Sequence, residues 1–175
     1  LAGDNGLAVG RHGLMGKQNL YDHSVRVPLI FAGPGIPQGK TTSEFAYLLD
    51  IFPTLCGMTG LDVPETVNGI DLTDTIRQNA PARENLYLAY THVQRAIHTR
   101  THKLIEYVVD GNRTTQLFNL EQDPDEIHDL SQEEGQQSRM TEMREILLQQ
   151  REAFNDTRER ESSFWEGYRT KGVSL

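Results

Sequence analysis

The stretch Asp4-Asn5-Gly6-Leu7-Ala8-Val9-Gly10-Arg11-His12-Gly13-Leu14-Met15-Gly16-Lys17, with Tyr21-Asp22-His23-Ser24-Val25-Arg26-Val27-Pro28-Leu29-Ile30-Phe31-Ala32 after it, decides how the chain is read. Glycines at 3, 6, 10, 13 and 16 exclude a regular helix over the first half, because each costs about 1 kcal/mol there relative to alanine. Val25 to Ala32 is β-branched and apolar at positions of both parities and ends at Gly33-Pro34-Gly35, which predicts an inner strand buried on both sides. A glycine-rich loop feeding such a strand belongs to an α/β sheet. The Asp4-Asn5 pair offers two side-chain oxygens to a hard cation, with Gly6 letting the backbone turn away. Lys17, reached through the loop, offers a mobile point charge to an anion. If a parallel strand precedes Asp4, the pair sits beyond its carboxyl end, where open α/β sheets hold ligands. By composition alone Asp4-Asn5-Gly6 reads as a turn, since all three residues favour turns.

Outward from this stretch, residues 41 to 80 carry one short helix. Asp50 is its expected N-cap, Pro53 lies in the first turn and Gly60 closes it. Ile51, Leu55 and Met58 share one face with Phe52 and Cys56 alongside, so Cys56 is expected to be a small buried hydrophobe. From residue 81 the pattern changes to short strands at 86–91, 96–99, 104–109 and 116–120, with Asp110-Gly111-Asn112 as a hairpin signal. Met140, Met143, Leu147 and Phe154 then mark a helix over roughly 138–154. The expected architecture is α/β: residues 1–80 end a sheet domain, and residues 81–175 form a small antiparallel sheet packed by a C-terminal helix. The charged tail from Thr157 is expected to fray, with Phe164, Trp165 and Tyr168 docking it on a neighbouring surface.

The 175 residues are 37% hydrophobic and 24% charged, enough apolar matter for a core. Lys+Arg 17 against Asp+Glu 25 gives a net charge of −8, which argues against nucleic acid as a partner. No apolar run approaches the ~20 residues that cross a bilayer. One cysteine offers no intrachain disulfide and no statement about redox compartment. The chain opens at Leu1 with neither an initiator Met nor a signal-type region, which reads as the middle of something longer.

Taken in order, the motifs form a series. Asp4-Asn5-Gly6, Gly10, His12-Gly13 and Lys17 lead into Tyr21 to Ile30, and Asp50-Ile51-Phe52-Pro53-Thr54-Leu55 follows. Then come Asn68-Gly69-Ile70-Asp71-Leu72, Lys103-Leu104-Ile105, Gln116 to Glu126 (with Asp123-Pro124-Asp125-Glu126) and Leu130. The series resembles the sulfatase family of the alkaline phosphatase superfamily, from residue 1 to about residue 155, with His102 where the family usually has an aromatic. The resemblance implies hydrolysis of sulfate esters by a formylglycine nucleophile, whose hydrated aldehyde attacks sulfur while Ca2+ and cationic side chains hold the sulfate. It implies that Asp4 and Asn5 are metal ligands and that Lys17 is catalytic and substrate-binding, contacting a sulfate oxygen on the leaving-group side. Arg11 and His12, on the loop between them, are candidate substrate-binding residues; the alternatives are a solvated arginine and a local hydrogen-bonding histidine.

Cys56-Gly57-Met58-Thr59-Gly60 lacks the Pro and Arg of the formylglycine motif, so Cys56 is not the nucleophile. The chain therefore resembles the C-terminal portion of a sulfatase, inactive alone, with its partners a missing N-terminal catalytic region and a sulfate-ester substrate, a sulfated glycan among the candidates. The family implies a periplasmic, secreted or lysosomal setting. His23, ahead of the apolar run, reads as a structural hydrogen-bonder; His92, His98, His102 and His128 read as structural or surface groups, and Glu121, Asp123, Asp125, Glu126 and Asp129 as a solvated turn. Asn112-Arg113-Thr114 and Asn155-Asp156-Thr157 match the glycosylation sequon, a pattern common by chance. Two other functions stay open: a phosphodiesterase or phosphonate hydrolase of the same superfamily, and a non-catalytic assembly module. Asn5 favours calcium over the zinc or manganese that a histidine there would suit.

Overall fold

The computed structural model describes residues 1–157 and 163–168, so the charged segment at Arg158–Glu161 lies outside the described residues. In chain order the elements are β1 (Ala8–Val9), β2 (Met15–Gly16), α1 (Asp22–Val25), α2 (Ile51–Thr59), α3 (Thr73–Gln78), β3 (Asn85–Tyr90), β4 (Gln94–Thr99), β5 (His102–Val109), β6 (Asn112–Asn119) and α4 (Gln137–Ala153). Contacts divide them into two units. One joins Leu1–Asp4 to Val27–Glu84, and the other joins Asn5–Arg26 to the residues from Asn85 onward.

In the second unit β3 to β6 form an antiparallel meander in sequence order. Register explains its two faces. Tyr87, Ile97, Leu104 and Leu117 are successive partners across the sheet and share one side. Met140, Met143 and Leu147 of α4 cover that side, at the i, i+3, i+7 spacing of one helix face. Between β5 and β6, Asp110 (φ 50°) and Gly111 (φ 76°) both adopt the left-handed conformation, as a type I′ turn requires. Phe164, Trp165 and Tyr168 dock as expected, and the surface that receives them is this same core, at 0%, 8% and 4% exposure. Arg113 holds them, donating to Phe164 O at 2.5 Å and lying 4.6 Å from the Tyr168 ring centre.

The sheet's other side carries Ala96, Ile105 and Phe118, and it is covered by Leu20, Tyr21 and Val25 of the glycine-rich segment. This second layer was not expected: the helix alone had been assigned to the sheet.

In the first unit, the expected strand Val25–Ala32 is corrected. Val25 ends the single turn α1, and the extended chain beyond it pairs only at Leu29, antiparallel to Ala2. Leu1 and Ile30 exchange bonds of 2.8 Å, and Gly3 N donates to Pro28 O at 3.1 Å. Exposure alternates from Arg26 to Ala32, so the run is half-buried rather than enclosed. Pro28 has no N–H for a ladder, and a run apolar at every position does not say which neighbours it has.

The expected α2 exists, and Gly60 closes it in the left-handed conformation at φ 72°. Its buried face is Pro53, Thr54 and Cys56, whereas Phe52 and Leu55 are 52% and 49% exposed, which corrects the expected apolar face. Asp50 takes the expected N-cap position, but its side chain makes no capping hydrogen bond to α2. Its own backbone is helical (φ −78°, ψ −15°), and its carboxylate accepts from Tyr47 N at 2.7 Å, Ile70 N at 3.0 Å and both Arg83 amino groups at 2.5 and 3.0 Å.

Candidate functional site

Among the expected site residues, Asp4 is exposed and Asn5 half-buried; neither side chain makes a hydrogen bond or ion pair among the described residues. Gly6 is required for a reason other than a sharp turn. A Cβ there would stand 2.0 Å from His23 O, because the Gly6 strand passes against α1 and its N–H donates to Ser24 O at 2.9 Å. Only glycine fits that approach.

The loop beyond is a small hairpin. Ala8 pairs with Gly16 and Val9 with Met15, and a 3₁₀ turn at Arg11–Gly13 forms its tip. Lys17 follows β2 directly, exposed, with its ammonium unpaired among the described residues. Arg11 is ion-paired to Asp125, both side chains well exposed, so it is not a purely solvated arginine. His12 takes a left-handed backbone (φ 54°) and lays its ring on Tyr21, with centroids 4.1 Å apart and planes 5° from parallel. His23 stacks on the same pair, 5.4 Å from His12 and 5.6 Å from Tyr21. Its two ring nitrogens are buried without hydrogen-bond partners, which corrects the expected hydrogen-bonding role. Burial first, then the charges of His12 and Arg11, lower its pKa from the ordinary value of 6.5, so it stays neutral.

Sequence reasoning missed the residues that hold this segment in place. Lys103, on β5, is fully buried and points to the same side of the sheet as Ile105. Its ammonium reaches the Asp22 carboxylate, Glu126 Oε1 at 2.6 Å and Leu20 O at 3.3 Å. Glu126 Oε2 in turn accepts from Asp22 N at 2.6 Å. Glu126 is 2% exposed, so it departs from the solvated acidic turn expected around it. Asp129 is exposed but not merely solvated, accepting from Leu117 N at 3.0 Å and Ser131 N at 2.9 Å. Burial alone would raise the Asp22 pKa; His98, 3.6 Å away, and Lys103 outweigh it and hold the carboxyl far below the usual range. Tyr21 adds a hydroxyl bond to Gln116 Oε1 at 2.8 Å. The available signal was a lysine directly before Leu104-Ile105 and on the same strand face as Ile105, a place where an unpaired charge is not tolerated.

The family model described as N-sulphoglucosamine sulphohydrolase, C-terminal, matches residues 10–153. A Delta 4,5-hexuronate-2-O-sulfatase of Bacteroides thetaiotaomicron is 29% identical over 166 residues, covering 87% of this chain and 33% of that protein. An arylsulfatase of Clostridium perfringens is 30% identical over 157 residues, covering 85% of this chain and 32% of that protein. The chain thus spans about a third of the length of the curated relatives it matches. Of solved structures, a 2-O GAG sulfatase superposes with TM-score 0.76 at 28% identity, over 89% of this chain and 36% of that one. A protein solved with its substrate D-glucosamine-2-N,6-O-disulfate has TM-score 0.82 at 22% identity, over 91% and 35% of the two chains. The phosphonate monoester hydrolase of Agrobacterium radiobacter has TM-score 0.75 at 23% identity, over 87% and 34%. These last two share the fold.

Proposed function

The chain belongs to the sulfatase family, and from that membership we propose that the complete protein hydrolyses sulfate esters, this chain supplying two metal ligands and a sulfate-holding cation. The observation that carries the reading is the family match over residues 10–153, a span that contains the tip and second strand of the hairpin and the unpaired Lys17, with Asp4 and Asn5 just ahead of it. Two other cations of this unit are committed: Arg11 to Asp125, and Lys103 to Asp22 and Glu126.

The donor chemistry of Asp4 and Asn5 fits a hard divalent ion. Both present oxygen, one charged and one neutral, and neither is satisfied within the described residues. Calcium takes 6–8 oxygens, and no group of three or more His, Cys, Asp or Glu able to hold a metal occurs among the described residues. In this reading the remaining ligands, and the formylglycine, belong to the rest of the complete protein. Bound calcium supplies electrostatic stabilisation of charge on the sulfate oxygens. Lys17 binds a sulfate oxygen through its ammonium and favours the transition state, where negative charge grows toward the leaving oxygen. His12, rigid on Tyr21, shapes the wall beside it, and Arg11 lines the rim with the donors its Asp125 pair leaves free. Cys56, buried in α2, takes no part.

The substrate class follows relatives whose names specify sulfated sugars and aryl esters alike, so a sulfated glycan is tested beside a simple aryl sulfate. The family's usual periplasmic, secreted or lysosomal setting is kept; no described helix is long and apolar enough to cross a membrane. The test is sulfate release by the complete protein from 4-nitrophenyl sulfate and from sulfated disaccharides, with calcium and after chelation. Phenyl phosphonate esters serve as the control. Calcium-dependent sulfate release is expected, whereas preferential phosphonate hydrolysis, or no hydrolysis of either, overturns the reading.

A further inference from the structure

Lys103, Asp22 and Glu126 contain more charge than the stability of a sheet face needs. A buried ion group is often no more stabilising than apolar side chains of the same size, because desolvation offsets the attraction. Here one ammonium donates hydrogen bonds to the Asp22 carboxylate of α1 and to the Leu20 carbonyl, and it is ion-paired with Glu126 from the loop after β6. Glu126 is held with a left-handed backbone, φ 58°, a conformation that persists only where its surroundings dictate it. Such a group specifies one arrangement of the segment it grips.

The grip passes to the hairpin by short steps. Ser24 O of α1 accepts from Gly6 N at 2.9 Å, next to Asn5. Gln94 Nε2 of β4 donates to Gln18 O at 3.3 Å, and Asn19 N to Lys17 O at 2.9 Å. Both ends of the hairpin are therefore tied to positions that Lys103 and its neighbours on the sheet set. We propose that Lys103, Asp22 and Glu126 form a buried charge lock that positions the Asn5–Arg26 segment, and through it Asn5 and Lys17. They are positioning residues, not catalytic ones. What is positioned rests on the sulfatase reading; the lock itself rests on the contacts alone.

The test uses the complete protein with Lys103→Met, Lys103→Arg and the isosteric Glu126→Gln, which keeps the Lys103–Asp22 pair. Steady-state kinetics on 4-nitrophenyl sulfate are measured beside hydrogen exchange of residues 5–26 and of β4 to β6. Lys103→Met is expected to lower kcat by about 10- to 100-fold with a smaller change in KM, as misplacement by an ångström does. Exchange in residues 5–26 rises while β4 to β6 keep their protection. Lys103→Arg restores most of both, and Glu126→Gln gives the same selective pattern more weakly. Unchanged kinetics and exchange, or exchange rising equally over segment and sheet, overturns the lock. If the unaltered protein releases no sulfate, the sulfatase reading fails, and exchange alone still decides: selective loosening of residues 5–26 supports the lock, and its absence overturns it.

Discussion

Replacing Asp50 by alanine separates two accounts of the same residue by their size. As an N-cap, Asp50 would contribute about 0.5–2 kcal/mol, and serine would substitute for it with little loss. The structure assigns it a different task. Its side chain is 0% exposed and faces Arg83, itself 16% exposed, in a two-pronged ion pair. Removing one partner of a buried pair costs about 3–5 kcal/mol, because the other charge stays desolvated. The Tyr47 and Ile70 N–H groups lose their acceptor as well, each worth about 1–3 kcal/mol if left unsatisfied. These losses share one side chain and do not add, so the expected cost is about 3–5 kcal/mol or slightly more. A urea slope of about 1–3 kcal/mol/M converts this into a midpoint lower by about 1–5 M. The assay is a urea titration read by hydrogen exchange at residues 45–84, which reports the first unit by itself. Asp50→Ser is expected to be nearly as damaging as Asp50→Ala, since one hydroxyl cannot serve four donors. Asp50→Ala with Arg83→Met should recover part of the loss by removing the orphaned cation. A serine variant within about 1 kcal/mol of the unaltered protein would refute the reasoning and return Asp50 to a capping role.

In the complete protein, Lys17→Ala is expected to keep its metal while kcat falls about 10²-fold, and Asp4→Ala to lose metal and activity together, by metal analysis beside turnover. Asn5→Ala should follow Asp4→Ala less severely, and Cys56→Ala should lower only the unfolding midpoint. Gly6→Ala forces a Cβ to 2.0 Å from His23 O, so exchange protection of residues 5–26 should collapse even where the sheet survives. Stability should decline on both sides of neutrality. Below the ordinary histidine value of 6.5 the unfolded chain protonates His23 before the folded one does, and below the ordinary aspartate value of 3.8 it does the same at Asp22, so stability falls with pH. Burial raises Tyr87, Tyr107 and Tyr168 above their ordinary 10.0, so the unfolded chain ionises first and stability falls again in alkali, as urea midpoints across pH will report.

What the sequence revealed was mostly what neighbours along the chain determine. The helix expected at 138–154 is α4 at Gln137–Ala153, and the Asp110-Gly111 hairpin forms as written, because periodicity and turn chemistry are local. Val25–Ala32 failed because apolarity states a need for burial without naming the surface that meets it. The task of the Asp50 carboxylate stayed hidden for a similar reason: its partner Arg83 lies 33 residues away, and local context offered only the helix it precedes. Buried charges are the hardest case, since each is intelligible only together with its counterion. Lys103 lies 81 residues from Asp22, and Asp22 N lies 104 from Glu126.

That distance changes what the motif series means. Tyr21-Asp22-His23, Lys103-Leu104-Ile105 and Asp123-Pro124-Asp125-Glu126 are separate matches along the chain, but their charged members meet at one ammonium. Arg11, from the hairpin tip, closes on Asp125 of the same loop, and Tyr21 packs on Phe118 just before it, with centroids 5.9 Å apart. A strand, a helical turn and a loop that share no local pattern are therefore one physical unit, organised around the segment that carries Lys17. Composition can be satisfied by many chains, whereas three matches that converge on one buried charge group require the fold that brings them together. Family membership rests on the match over residues 10–153, and the contacts show why motifs so far apart along the chain belong to one unit.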